Sequence, residues 1–136
     1  MPVPKGWKNV PKNDHLFMYA EPKGVDQAVG LSIKVEEPQD GQSLDDVPYA
    51  IVVEYKGNAM SPHNAQYGAC RIRPGPCRGV TFTVDPQDHP LRRMQVMVIH
   101  VGDRQLEITC EGWESTFARA VEHCDRVLDG LVIREE

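Results

Sequence analysis

The sequence predicts an α+β fold, a three-layer α/β/α sandwich with a mainly antiparallel central sheet and two main helices. Three observations carry that expectation. Met94 to Val101 is largely apolar on both of its alternating sets, Met94/Val96/Val98/His100 and Gln95/Met97/Ile99/Val101, so it belongs in mid-sheet with cover on each side. The apparent strands are joined by connections of hairpin length, which favours antiparallel pairing. Trp113, Phe117, Ala120, Val121, Cys124, Val127 and Leu128 recur at three- and four-residue spacing, the apolar stripe of an amphipathic helix.

Taken in order, residues 1–14 hold three prolines and read as an extended N-terminal arm with Trp7 as its anchor; residues 15–136 form a single domain. His15 to Ala20 is a short strand closed by the turn Glu21-Pro-Lys-Gly24. Val29, Leu31, Ile33 and Val35 alternate with small or polar residues, the period of a half-buried strand. Ser43-Leu-Asp-Asp46 has the spacing of a capping box, and the helix it opens runs through Ala50 to Tyr55 and stops at Gly57. Pro48 and the β-branched Ile51-Val-Val53 oppose that helix; the cap favours it. Residues 57–65 read as a flexible polar loop. Strands are then expected at Tyr67 to Ile72, Val80 to Val84, Met94 to Val101 and, across the Gly102-Asp103 turn, Gln105 to Cys110. The last helix ends at Gly130, and Leu131-Val-Ile133 makes a closing strand.

With 136 residues, 40% hydrophobic and 26% charged, the chain suits one globular core. A net charge of −5 opposes nonspecific nucleic-acid binding, and no apolar run reaches the ~20 residues of a membrane helix. The N-terminus lacks the apolar stretch of a secretory signal, so a cytoplasmic protein is expected. The four cysteines, at 70, 77, 110 and 124, show no Cys-x-x-Cys spacing. They are expected to be reduced, buried core residues rather than disulfides or zinc ligands.

Pro4-Lys-Gly-Trp7, Ser43-Leu-Asp-Asp46, Leu106-Glu-Ile-Thr-Cys110 and Phe117 through Leu128-Asp-Gly-Leu131 together give the chain a resemblance to the PsbP-like superfamily. That group includes PsbP proteins, DcrB-type domains, Ran-binding nuclear import factors and the chaperones of type VI secretion Rhs effectors. The resemblance implies a three-layer sandwich, usually without enzymatic activity, acting as an adaptor, chaperone or assembly factor. Pro48 in the first helix and the proline-bounded loop at 74–76 depart from the pattern.

No motif for a catalytic nucleophile, a phosphate loop or a metal site emerges, and no cofactor is expected. Arg71, Arg73, Arg78, Arg92 and Arg93 face only Asp85 and Asp88 within residues 71–93, a local positive excess in an acidic chain. They are candidates for the rim of a partner-binding surface; the plainer reading is a charged guard on a sheet edge. The expected function is therefore non-catalytic binding of a protein partner, adaptor- or chaperone-like, with no nucleic acid and no membrane insertion. One alternative is a small enzyme or small-molecule binder using His89, His100 and the arginines. Another is a structural subunit that self-associates as a homodimer.

Overall fold

A computed structural model describes residues 7–12, 15–20, 29–38, 41–57, 60–68, 70, 76–85 and 90–129. Seven strands, β1 (Trp7–Lys12), β2 (His15–Ala20), β3 (Val29–Glu36), β4 (His63–Gly68), β5 (Cys77–Val84), β6 (Arg92–Val101) and β7 (Arg104–Trp113), form one sheet. Its order is β1-β2-β3-β7-β6-β5-β4, and every neighbouring pair is antiparallel. Part of the expected N-terminal arm is thus β1, an edge strand paired with β2. The Gly102-Asp103 turn joins β6 to β7, with Gly102 at φ +60°, where a glycine carries no steric penalty.

Helix α1 (Val47–Gly57) follows β3, and α2 (Phe117–Asp129) follows β7. Ser43 caps a short 3-10 turn, Leu44–Asp46, its hydroxyl accepting from the Asp45 N–H at 3.3 Å, and α1 continues from that turn. Pro48 falls in the first turn of α1, where its missing N–H would have no partner within the helix. The expected conflict therefore disappears. Trp113, expected at the head of the last helix, instead ends β7, and a 3-10 turn at Glu114–Thr116 leads into α2.

The side-chain alternation of β6 separates the two cores. Met94, Val96 and Val98 pack with Val80, Phe82 and Val84 of β5 against Val47 and Ile51 of α1. Met97 and Ile99, on the other face, pack with Leu31, Ile33, Ile108 and Cys110 against Ala120 and Cys124 of α2. The helices therefore lie on opposite faces of the sheet, as expected for the sandwich. They are also displaced sideways: α1 lies over β5 and β6, α2 over β7 and β3. Each face keeps a half that no described helix covers. On the α1 side that half carries Ser32, Lys34, Glu107, Thr109 and Glu111; on the α2 side it carries Gln66, Gly79, Thr81 and Thr83.

The cysteine expectation is corrected. Cys70 pairs with Cys77 and Cys110 with Cys124, with Cα separations of 5.5 and 6.2 Å, both in the range a disulfide spans. The inward placement of Cys110 and Cys124 was right, but strand and helix face each other across the same core and bring the two sulfurs together. Phe117, which the apolar stripe of the last helix points towards the core, is only half-buried at the start of α2.

Candidate partner-binding site

β4 is the edge strand beside the α1-bearing half of the sheet, hydrogen-bonded to β5 alone among the described strands. Its sequence, His63-Asn-Ala-Gln-Tyr-Gly68, has no Lys, Arg, Asp or Glu, and all six residues are exposed. Edge strands usually carry charges or proline that discourage further pairing. Here Pro62 precedes the strand and a register shift between His63 and Gln66 bends its first half; Gln66 to Gly68 pair regularly with β5. The bend is built from left-handed backbone at Ser61 (φ 47°) and Asn64 (φ 54°), with the His63 ring Nδ1 2.9 Å from the Ser61 carbonyl. Two backbone bonds tie the entry to the core: Met60 N–H donates to Tyr55 O (3.2 Å), and Asp85 N–H donates to Met60 O (2.7 Å).

Each side of this edge offers a different surface. On the α1 side, Tyr67 (51% exposed) neighbours Tyr49 (65%) of the helix, and Val53 (49%) lies one turn along α1 from Tyr49. The Tyr67 hydroxyl is pushed above its ordinary pKa by partial burial and by the neighbouring Tyr49. On the α2 side, an open recess of about 520 Å³ is lined by Asn64, Ala65, Gln66, Arg93 and Glu114. Arg93 reaches across β5 to the edge strand: its Nη1 donates to Thr83 Oγ1 at 2.8 Å and to Asn64 O at 3.5 Å. The guanidinium lies 5.9 Å from the Phe117 ring centroid, within cation–π reach.

The arginine set does not form one surface among the described residues. Arg71 and Arg73 lie outside them. Arg78 is ion-paired with Asp45 and bonded to its own neighbour's carbonyl, Cys77 O. Arg92 faces the α1 side, stacked 4.6 Å from the Trp113 ring centroid and 3.6 Å from a Glu111 carboxylate oxygen. Arg92 is opposite Val84 and Arg78 opposite Val98, which puts them about 20 Å apart along β6. Of the described arginines in the set, Arg93 borders the edge strand. His100 lies near the far end of β6 from Arg93, its Nε2 2.9 Å from Gln105 Oε1, while Gln105 Nε2 donates to Glu36 Oε1 at 3.2 Å. His100 and Arg93 therefore do not converge, and His89 lies outside the described residues. No group of three His, Cys, Asp or Glu side chains among the described residues is placed to hold a metal ion. No helix among them is long and apolar enough to cross a membrane.

Sequence reasoning missed β4 as a site because the segment has no apolar period; only its lack of charge pointed to it. No family model and no curated protein matches the chain. Among solved structures it is similar to LpqN of Mycobacterium tuberculosis, described as involved in cell envelope biogenesis. The TM-score is 0.54 at 11% identity, covering 94% of this chain and 78% of that one. The likeness is one of fold alone, and it assigns the chain to no family.

Proposed function

We propose that this chain is a non-catalytic binding domain, adaptor-like, that receives an extended segment of a partner protein as an added strand on β4. The observation that carries the reading is an uncharged edge strand, exposed at every residue, with a distinct surface on each side. In strand addition the backbone supplies affinity, and alternate side chains of the guest read the surfaces flanking the edge. Here the guest's side chains would alternate between the Tyr49–Val53–Tyr67 surface and the Arg93 recess. The occupant is a foreign segment because these two surfaces differ in chemistry and so suit a guest of alternating character.

The two disulfides favour an oxidising compartment over the cytoplasm expected from sequence. A binding role at a cell envelope is compatible with that and with the LpqN-like fold.

The test is site-specific photo-crosslinking in native extract, with the reactive group at Tyr67 or, as a control, at exposed Glu122 on α2. The reading expects one protein captured from position 67, not from 122, and lost in Ala65→Lys. Equal capture from both positions, or capture that survives Ala65→Lys, would count against it. Cross-linking to a second copy would assign the edge to self-association instead.

A further inference from the structure

We propose that the recess around Arg93 is a subsite for a peptide carboxylate, read together with an adjacent N–H donor. This deepens the strand-addition reading and rests on it for the partner's identity; the chemistry of the recess stands on its own geometry. Both hydrogen bonds of Arg93 leave through Nη1, to Thr83 Oγ1 and Asn64 O. No acceptor among the described residues takes Nε or Nη2. A guanidinium fork of this kind fits a carboxylate in two-point geometry, and its plane is already oriented by Thr83, by the β4 carbonyl and by the Phe117 ring.

Glu114 sharpens the class of ligand. It lines the same recess and is exposed, its backbone N–H donating to Leu91 O at 2.9 Å, and it forms no ion pair with Arg93 within 4.0 Å. A dianion such as phosphate entering the recess meets the Glu114 carboxylate as well as Arg93. A peptide unit bearing Asp or Glu carries one negative charge and, beside it, backbone N–H groups for which Glu114 is an acceptor. The pair therefore selects a carboxylate carried on a peptide over a small free anion. Asn64 and Gln66, on the β4 wall, supply side-chain amides able to bond peptide groups of the same segment.

The test follows the Arg93 Nε–Hε signal by NMR in the intact protein, using N-acetyl-aspartate N-methylamide, its asparagine analogue and inorganic phosphate as probes. The aspartate compound should shift that signal saturably, with half-saturation at millimolar to about tens of millimolar concentration, as expected for one charge-assisted contact. The asparagine analogue should produce no saturable shift. Phosphate should bind several-fold more weakly than the aspartate compound, and Glu114→Gln should narrow that gap. Arg93→Lys, which keeps the charge and loses the fork, should weaken the aspartate compound at least about fivefold. Equal responses to aspartate and asparagine, a non-saturating aspartate response, or phosphate binding more tightly than aspartate would overturn the proposal; none of these depends on a variant that must fold. If the recess saturates while an aspartate-bearing peptide leaves the β4 amides unprotected from exchange, strand addition fails and the subsite stands. If β4 becomes protected without discrimination between aspartate and asparagine, the subsite fails and strand addition stands.

Discussion

Cys110 on β7 and Cys124 on α2 are joined by a disulfide, both fully buried, their Cα atoms 6.2 Å apart. The bond closes a 14-residue separation that contains the turn from sheet to helix. It fastens α2 to the core it covers. Breaking it by Cys110→Ala with Cys124→Ala should cost about 2–4 kcal/mol, the usual range for a loop of this length. Denaturant unfolding of the double variant measures it. A loss under roughly 0.5 kcal/mol would show that packing alone holds the helix.

Alkylation of thiols at the moment of cell lysis, followed by intact mass under denaturing conditions, should count no free thiol, because both pairs are bridged. Four alkylated cysteines would return the protein to a reducing compartment.

Phe82 lies on β5 with no exposed surface, its ring 5.3 Å from that of Tyr55 at an edge-on angle of 61°. Phe82→Ala should destabilise the fold by about 3–5 kcal/mol through lost burial and the cavity left behind. Phe117→Ala, at a half-buried position, should cost clearly less. Thermal or denaturant melts of the two variants order them.

Burial, reinforced by Glu111, Glu107 and Glu54, pushes the Tyr55 hydroxyl up to about 12 from its ordinary 10.0. The neutral phenol is thus favoured in the folded state. Its contribution to stability is complete below pH 10 and is lost as pH rises from 10 towards 12. Tyr55→Phe should flatten that alkaline decline while leaving stability near pH 8 within about 1 kcal/mol. An unchanged slope above pH 10 would remove Tyr55 as its source.

Gly30 leaves room for the Glu111 side chain, since a Cβ there would stand 2.7 Å from the carboxylate oxygen and 2.9 Å from Cγ. Gly30→Ala forces that side chain aside and loosens its pairing with Arg92. The cost should be about 1 kcal/mol and should shrink when Glu111→Ala is added, which a double-mutant cycle measures. Simple additivity would mean that Glu111 is not the obstacle.

The elements with a strong period were legible in sequence. Leu31 and Ile33, Val80, Phe82 and Val84, and the two faces of β6 all sit where their alternation placed them, because burial on a pleated strand imposes a period of two. The stripe Ala120–Cys124 likewise faces the sheet. What failed to show were features set by distant contacts. Cysteine pairing depends on which strand lies under which helix. β4 is uncharged, has no apolar period and owes its strand conformation to pairing with β5, so its first three residues, His63 to Ala65, read as part of the loop at 57–65. Arg92 and Arg93 were read together although neighbours on a strand point to opposite faces, so only Arg93 reaches the edge.

Amide hydrogen exchange, free and with the cross-linked partner bound, tests strand addition most directly. The account expects outward-facing amides of His63–Gly68 to exchange fast in the free protein and to become protected in the complex. Little change is expected across α2. Protection on α2 or on the polar β3–β7 half of the sheet, with β4 still exchanging freely, would contradict it.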